Sequence, residues 1–261
     1  MKKYLVIGNP IEHSLSPKLH NHWIKENNIE AAYDKLQLKE NDLEKKVLEV
    51  KNEIIQGLNV TVPYKKLIIP FLDELTLIAN RTKSVNTIFK KNDKVIGDNT
   101  DVEGFEKGLK HINYDVKNKK IFILGAGGVA PSIIFALQRL GALKITLSNR
   151  TRKKAENLRE IFPKLEIVDW GDIPNFNMII NATSLGLKDN DEIKLNYNEV
   201  GQNKLFYDVI YNPEKTNFLL KAKQAGNLVE NGKMMFIYQA QLAFKIWHNI
   251  LPKIDNHLLN Q

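Results

Sequence analysis

The sequence predicts an α/β fold with largely parallel sheets. Short apolar runs alternate with amphipathic stretches along most of the 261 residues, a pattern typical of strands that alternate with helices. The run 121–124 is apolar at every position, as expected for a strand that is buried on both faces of a parallel sheet.

The first part of the chain carries its own start and stop signals. Ser16 and Pro17 open the first helix, because Ser is a favoured N-cap and Pro a favoured first helical residue. Two apolar runs around Lys91-Asn92-Asp93 predict a hairpin. The predicted strands are 3–8, 32–38, 57–62, 85–90 and 94–96, and the predicted helices are 16–27, 42–50 and 100–111.

A second unit begins near Lys119. We place the domain boundary at residue 101, so that residues 1–101 form one domain and residues 102–235 the other. Periodicity does not decide to which domain the last helix belongs. The predicted strands of the second unit are 121–124, 144–147, 178–181 and 205–210, and its helices are 129–140, 153–162, 215–224 and 234–250.

Composition narrows the classes of function. The net charge of +8 comes from 38 basic and 30 acidic residues, but the lysines are scattered and no basic tract is interleaved with aromatic residues, so nucleic-acid binding is not expected. The chain has no cysteine, which excludes disulfides and thiolate chemistry and fits a reducing compartment. The apolar run at the start is too short for a signal peptide, and no stretch approaches the ~20 residues of a membrane span. We therefore expect a cytoplasmic protein.

Residues 125–130 form a G-x-G-x-x-A fingerprint between a predicted strand and a predicted helix. Glycines let the backbone approach a pyrophosphate, and the following helix offers N–H groups and the positive end of its dipole. The alternative is an ordinary glycine-rich turn. The strand–turn–helix context favours a dinucleotide site in a Rossmann-like domain.

The next predicted strand is followed by Ser148-Asn149-Arg150-Thr151. Proteins that bind NAD usually place an acidic residue here for the ribose 2′-hydroxyl, whereas an arginine suits a 2′-phosphate. Arg150, with Asn149 and Thr151, therefore predicts NADP. The alternative is a surface arginine that begins a helix.

Polar residues end two strands of the first unit. Asn59 and Thr61 lie two apart and face the same side of a strand, and Lys65 follows its carboxyl end, where open α/β sheets bind ligands. A lysine here can protonate a developing alkoxide. Asp101 is either a plain N-cap or, if it meets Lys65, the partner that keeps the lysine charged.

Two further features lie near the first helix. Ser14 and Ser16 flank its start, where hydroxyl and backbone N–H groups suit a carboxylate. Simple capping is an equal alternative. His13, His20 and His22 have no acidic partner at metal spacing, so we interpret them as solvated helix residues and expect no metal.

In this order, the motifs resemble those of the shikimate dehydrogenase family. The resemblance spans almost the whole chain. Each motif is common by itself, and the resemblance rests on their joint occurrence in this order. They are Gly8-Asn9-Pro10-Ile11, Ser14-Leu15-Ser16-Pro17, 59–65, Val85-Asn86-Thr87, 97–101, 125–130, Asn149-Arg150-Thr151, Asn181-Ala182-Thr183-Ser184, 208–211 and Gln239-Ala240.

The resemblance implies a role for each matching residue. Lys65 and Asp101 form the catalytic pair. The last segment, 236–261, returns as a helix to the first, substrate-binding domain. The implied substrate-binding residues are Ser14, Ser16, Asn59, Thr61, Asn86, Asp101, Tyr211 and Gln239. The implied NADP-binding residues are Gly125, Ala126, Gly127, Gly128, Val129, Ala130, Asn149, Arg150 and Thr151, with Val209 and Gly232 near the nicotinamide.

The implied activity is the reversible, NADPH-dependent reduction of 3-dehydroshikimate to shikimate in aromatic amino acid and chorismate biosynthesis. Two alternatives stay open, a paralogue that uses quinate and a non-catalytic regulator that senses nucleotides. The expected partner is a small-molecule substrate rather than nucleic acid or a membrane, and the chain is either a monomer or a homodimer.

The sequence departs from the family pattern in three places. Lys83-Ser84 stands where Gly-Ala is usual, Met234 stands where a second glycine is common, and Asn217 rather than proline follows Thr216. None of them removes a proposed catalytic group, but Met234 bears on the wall of the nicotinamide site.

Overall fold

The computed structural model describes residues 1–188, 191–197 and 199–255. Its helices are α1 Ser16–Glu26, α2 Leu43–Lys51, α3 Leu77–Thr82, α4 Asp101–His111, α5 Ala130–Arg139, α6 Arg152–Ile161, α7 Asn217–Gln224 and α8 Lys233–His248. Its strands are β1 Lys2–Gly8, β2 Ala31–Gln37, β3 Gly57–Val60, β4 Glu74–Leu75, β5 Thr87–Lys91, β6 Lys94–Asp98, β7 Lys120–Leu124, β8 Lys144–Ser148, β9 Glu166–Val168, β10 Met178–Asn181, β11 Leu205–Asp208 and β12 Leu228–Glu230.

The chain divides into two compact units, and the predicted α/β class is confirmed. The first unit comprises Met1–Gly104 and the segment from Ile237 onward, and the second comprises Phe105–Phe236. The divisions therefore fall inside α4 and α8. No helix of the described chain is long and apolar enough to cross a membrane.

The first unit is built on a mixed six-stranded sheet of order β2-β1-β3-β5-β6-β4. Strand β1 runs parallel to both β2 and β3, while β5 is antiparallel to β3 and β6. An apolar core that includes Ile7, Leu58 and Ile88 lies against α2 residues such as Val47. The carboxyl end of β3 leads directly to Lys65.

The C-terminal part of α8 packs on this first sheet. The indole of Trp247 donates a hydrogen bond to the carbonyl of Ile88 at 3.1 Å, and a Cβ added at Gly57 would lie only 2.3 Å from that indole nitrogen. Farther along, the Trp23 indole donates to the carbonyl of Lys253 at 2.9 Å. Glycine in β3 thus makes room for the helix, and α1 holds the segment that follows it.

The second unit has a six-stranded parallel sheet of order β12-β11-β10-β7-β8-β9. Residues 121–124 of β7 are all buried, as their apolar composition predicts. Phe122, Phe206 and Phe218 belong to one core cluster between the sheet and α7. This is the topology expected of a Rossmann-like domain.

Several elements differ from the predictions. Strands β4, β9 and β12 are only two or three residues long and helix α3 has six residues, too short for a periodic pattern to indicate them. The last helix was predicted to reach residue 250 within a segment 236–261. It ends at His248, because Asn249 adopts a left-handed φ of 55°, and residues 256–261 lie outside the described chain.

Candidate active site

Lys65 and Asp101 meet in the first unit. Lys65 lies in the turn after β3 and Asp101 is the first residue of α4. The Lys65 Nζ donates to Asp101 Oδ2 at 2.5 Å, and the two residues are only 8% and 5% exposed. Removal of one partner of a buried ion pair leaves an uncompensated buried charge, so the two side chains depend on each other.

The capping interpretation of Asp101 is wrong, because Asn99 does that work. The Asn99 Oδ1 accepts hydrogen bonds from the backbone N–H groups of Asp101 and Val102, at 3.1 and 3.4 Å. The Asp101 carboxylate is thereby left to face Lys65 and Asn86. Sequence reasoning had an available signal, since Asn is as good a cap as Asp.

Asn86 links the ion pair to the surrounding polar residues. Its Nδ2 lies 2.9 Å from both Asp101 Oδ1 and Thr100 Oγ1, and 3.3 Å from Gln239 Oε1 on α8. Its Oδ1 accepts from the backbone N–H of Thr100 at 2.8 Å. Asn86, Asp101 and Gln239, which the resemblance implied as substrate-binding residues, therefore lie together.

Asn59 and Thr61 differ from each other, although both were implied as substrate-binding residues. The Asn59 side chain points inward. Its Nδ2 donates to the carbonyl of Asn86 at 2.9 Å and to Thr87 Oγ1 at 3.1 Å, and its Oδ1 accepts from the hydroxyl of Tyr33 at 2.6 Å. Thr61 is half-buried, and its hydroxyl makes no hydrogen bond within the described residues. Of these two residues, Thr61 offers a polar group to a ligand.

The start of α1 is not capped as predicted. Ser16 lies inside the first turn, and the N-cap position falls to Leu15, which makes no side-chain cap. The Ser14 hydroxyl accepts from the Ser16 backbone N–H at 3.3 Å, and Pro17 occupies the first turn as expected. Because neither hydroxyl serves as the helix cap, both remain candidates for binding an anion.

The interpretation of the histidines is wrong for two of the three. His20 is 1% exposed, and its ring stacks on Tyr33 with centroids 4.2 Å apart. Its pKa is lowered to about 3, mainly because the ring is buried and to a lesser degree because His248 lies nearby. His22 does have acidic partners, since its Nε2 lies 3.3 Å from Glu26 Oε2 and 3.2 Å from Asp255 Oδ2. His13 is exposed, as predicted, but it lies in a turn before α1 rather than in the helix.

In the second unit, the glycine turn joins β7 to α5. Gly125 has a φ of 103°, and an added Cβ would lie 2.9 Å from the backbone of Ala182, so only glycine fits there. Asn149 braces this turn, because its Oδ1 accepts from the Ala126 N–H at 2.9 Å and its Nδ2 donates to the Thr151 carbonyl at 2.8 Å. The predicted cofactor residues of the two loops are thus adjacent.

Arg150 and Arg152 follow β8 and have different surroundings. Both are exposed, but Arg152 is ion-paired with Asp169 and lies 3.4 Å from Glu156. Arg150 makes no hydrogen bond or ion pair within the described chain. Its guanidinium is therefore available for the two parallel hydrogen bonds that a phosphate accepts.

Val209 and Gly232 also come together in this unit. A Cβ added at Gly232 would lie 2.1 Å from the Val209 carbonyl oxygen, so this position requires glycine. Beside them, Asp208 accepts from Thr216 Oγ1 at 2.6 Å and from Asn181 Nδ2 at 3.0 Å. Burial raises the pKa of Asp208 to about 6 despite these hydrogen bonds.

Tyr211 and Met234, which the sequence analysis also named, lie two residues after Val209 and Gly232 respectively. The ring of Tyr211 stacks on Phe236 with centroids 4.2 Å apart. Met234, the departure from the family pattern, is buried at the start of α8. Its side chain therefore fills space within the second unit that a glycine would leave open.

Known proteins resemble the chain over its full length. Residues 6–88 match the model of the shikimate dehydrogenase substrate binding domain, and residues 107–194 match that of shikimate / quinate 5-dehydrogenase. A shikimate dehydrogenase (NADP(+)) of Pelagibacter ubique is 57% identical, with 99% of this chain and 98% of that protein covered.

Solved structures of shikimate dehydrogenases also resemble this chain. The crystal structure of shikimate dehydrogenase from Aquifex aeolicus has a TM-score of 0.91 and 38% identity, covering 100% of this chain and 96% of that one. The enzyme of Thermus thermophilus, solved in complex with NADP(H) and shikimate, has a TM-score of 0.88 and 31% identity, with 97% and 95% covered.

Proposed function

Because this chain belongs to the shikimate dehydrogenase family, we propose that it catalyses the reversible, NADPH-dependent reduction of 3-dehydroshikimate to shikimate. The buried ion pair of Lys65 and Asp101 carries the proposal, because it provides a proton donor inside the substrate-binding unit. A regulator that only senses nucleotides needs no such donor, so the pair argues against the non-catalytic alternative.

The residues of the second unit fit NADP. Gly125 lets the turn after β7 pack against the backbone of Ala182, which any Cβ would prevent, and Arg150 supplies a guanidinium with no partner in the described chain. No carboxylate follows β8 at the position where one would repel a 2′-phosphate. The bound nicotinamide supplies the hydride for the ketone carbon. Val209 and Gly232 are proposed to line its site.

Lys65 handles the proton of the reaction. As the ketone carbon gains a hydride, negative charge develops on the carbonyl oxygen, and the Lys65 ammonium donates a proton to it. Asp101 holds the ammonium in place at 2.5 Å before the transfer. In the direction of oxidation, the neutral amine takes the proton back from the hydroxyl.

The remaining polar residues are proposed to bind the ring acid. Ser14 and Ser16 bind its carboxylate through hydroxyls that the helix does not use as caps. Thr61, Asn86 and Gln239 bind ring hydroxyls of the substrate from the first unit. Tyr211 is also proposed to bind a ring hydroxyl, and the Asn59 amide supports Asn86 by donating to its backbone carbonyl.

A spectrophotometric assay tests the function directly. The purified chain is supplied with 3-dehydroshikimate or dehydroquinate and with NADPH or NADH, and oxidation of the nicotinamide is followed. We expect the fastest turnover with 3-dehydroshikimate and NADPH. Faster turnover with dehydroquinate would instead identify the quinate paralogue, and no turnover in any combination would support the regulator.

The domain limits, the cytoplasmic location and the choice between monomer and homodimer stay predictions. In the proposed arrangement, the first unit binds the substrate and the second binds NADP. Titration of each ligand against variants of each unit separates the two roles, because Lys65 and Arg150 belong to different units.

A further inference from the structure

Tyr33 begins a chain of hydrogen bonds that ends at the catalytic pair. It lies in β2 and is 1% exposed. Its hydroxyl and Asn59 Oδ1 are 2.6 Å apart. The Asn59 amide contacts the backbone carbonyl of Asn86, and the Asn86 amide contacts Asp101, which holds Lys65.

The chemistry of these groups determines the direction of each bond. The carbonyl of Asn86 can only accept, so the Asn59 Nδ2 must face it, and the Asn59 Oδ1 must then face Tyr33. The Tyr33 hydroxyl is therefore the donor. Without that hydroxyl, the buried Oδ1 loses its closest partner and the amide is less firmly held.

The ring of Tyr33 is itself held rigidly. It stacks on His20 with an interplanar angle of 2°, and the amide of Asn21 brackets its backbone, donating to the Tyr33 carbonyl at 2.7 Å and accepting from the Tyr33 N–H at 2.9 Å. Neither ring nitrogen of His20 has a hydrogen-bond partner within the described residues. His20 therefore contributes a flat apolar surface rather than a polar contact.

We propose that Tyr33 is a positioning residue for the reaction: its hydroxyl fixes the Asn59 amide, and through Asn59 and Asn86 it sets the place of the Asp101 carboxylate. This inference rests on the proposed function, since it assigns Tyr33 a part in that reaction. Tyr33 touches no reacting atom. Its effect passes through Asn86, so it acts on binding of the ring acid as well as on turnover.

The variant Tyr33→Phe tests the proposal, because it removes the hydroxyl and keeps the ring on His20. We expect kcat to fall and KM for 3-dehydroshikimate to rise, together by about three- to tenfold, as for the loss of one neutral hydrogen bond. KM for NADPH stays unchanged. Partial unfolding alone would lower kcat and leave both KM values where they were.

Tyr64→Phe is the matched control. The Tyr64 hydroxyl also donates a buried hydrogen bond of 2.6 Å, but to the carbonyl of Leu38 and outside the Asn59–Asn86 chain. We expect a similar loss of thermal stability and unchanged kinetic constants. Equal kinetic effects in Tyr33→Phe and Tyr64→Phe would assign both to general destabilisation and overturn the proposal.

A double-mutant cycle locates the path of the effect. In an Asn59→Ala background, Tyr33→Phe is expected to change kcat/KM by less than about twofold, because the link is already broken. Additive effects would overturn the proposal, as would wild-type constants for Tyr33→Phe alone. An inactive wild-type protein would instead refute the proposed function. Displaced side-chain amide NMR signals of Asn86 in Tyr33→Phe would then still support the positioning link, and unchanged signals would overturn it.

Discussion

The sequence predicts functional roles for two cationic side chains, Lys65 in the first unit and Arg150 in the second. The two differ in burial and in ion pairing. Lys65 is buried, and its charge is already neutralised by Asp101 at 2.5 Å. Arg150 is exposed and has no partner within the described residues. One cation is organised before any ligand arrives, whereas the other can be neutralised only by a ligand.

This difference separates catalysis from recognition. A proton donor must be held in position until it transfers its proton, and a buried partner achieves that at the expense of desolvation. A group that selects between two cofactors gains most by staying unpaired until the phosphate binds. Substitutions of the Lys65–Asp101 pair should therefore affect stability and turnover together, and those at Arg150 should affect cofactor choice alone.

The largest expected effect is that of Lys65→Ala. Loss of the proton donor should lower kcat by ~10²–10⁴-fold. It also leaves the Asp101 carboxylate buried without its cation, which should lower the free energy of unfolding by about 3–5 kcal/mol. Steady-state kinetics and denaturant unfolding measure the two consequences.

A neutral pair provides the control for Lys65. The double variant Lys65→Met with Asp101→Asn removes both charges, so it should recover most of the lost stability and stay inactive. Wild-type turnover in a folded Lys65→Ala protein would remove Lys65 from the mechanism.

Arg150→Ala should erode the preference for NADPH over NADH by about tenfold to a hundredfold, the value of a hydrogen bond to a charged group. Constants with NADH and the midpoint of thermal unfolding should not change, because Arg150 holds nothing else in place. Ratios of kcat/KM for the two cofactors measure the effect.

Arg152→Ala is the matched control, since Arg152 is already held by Asp169 and Glu156. It should leave cofactor preference within about twofold of wild type. An equal loss in both variants would mean that the phosphate is attracted by the general positive charge of this loop rather than gripped by Arg150.

Ser14→Ala and Ser16→Ala should each weaken substrate binding by about 1.5–3 kcal/mol, because each removes a hydrogen bond to a carboxylate. Stability should stay within about 0.5 kcal/mol of wild type, since neither residue occupies the N-cap position of α1 and the Ser14 hydroxyl makes only one long bond, of 3.3 Å, with the Ser16 N–H. Isothermal titration with shikimate and thermal unfolding measure the two quantities.

Thr76 offers the opposite pattern in the same unit. Its hydroxyl is a true cap that accepts from the Ala79 N–H at 3.3 Å. Thr76→Ala should lose about 1 kcal/mol of stability and keep wild-type affinity for shikimate. Unchanged affinity in both serine variants would place the carboxylate site elsewhere.

Much of this site could be predicted because ends of strands and glycine turns leave strong local signals. Lys65 follows a strand, and Gly125 stands where only glycine tolerates a φ of 103°. Tyr33 gave no such signal, since an aromatic residue in a strand looks like ordinary core. The burial of His20 depends on Trp247, far away in the sequence, whose ring centroid lies 5.5 Å away.

The capping prediction for Ser16 and the capping alternative for Asp101 both rest on residue type alone, and both fail. Ser16 and Asp101 are both favoured caps, but Leu15 occupies the N-cap position of α1 without a side-chain cap, and Asn99 accepts the first N–H groups of α4. A shift of one residue at a helix start redirects a side chain by about 100°. Local propensity cannot resolve that shift, although the shift decides which residue faces the site.

A smaller expected effect is on the pH dependence of stability, to which one group in each unit contributes in opposite directions. The folded protein lowers the pKa of His20 from 6.5 to about 3, by burial and then by the nearby His248. The stabilising contribution of neutral His20 is present above pH 6.5 and is lost as the pH falls toward 3. Asp208 acts in the opposite sense, because its raised pKa favours the folded state at low pH.

The free energy of unfolding that is lost when the pH falls from 6.5 to about 5 should therefore be smaller in His20→Phe, by up to about 2 kcal/mol. Asp208→Asn should steepen that loss instead. Urea unfolding at several pH values measures both slopes. Parallel slopes for wild type and His20→Phe would show that His20 is not the group responsible.

The smallest effect concerns Lys83, the residue that stands where the family usually has glycine. Lys83 caps the end of α3 with a left-handed φ of 49°, a conformation that disfavours any residue with a Cβ. Lys83→Gly should raise the free energy of unfolding by about 0.5–1 kcal/mol, since relief of this strain exceeds the extra entropy of glycine in the unfolded chain. Lys83→Ala keeps the Cβ and should give no gain, which separates backbone strain from loss of the contact between Lys83 Nζ and Asn80 Oδ1 at 2.7 Å. Kinetic constants should stay at wild-type values in both variants, because Lys83 is exposed while the neighbouring Asn86 is held by its own hydrogen bonds. A change in kcat for Lys83→Gly would mean that the rigidity of the first unit extends to its surface turns, and that the organised site depends on this strained residue.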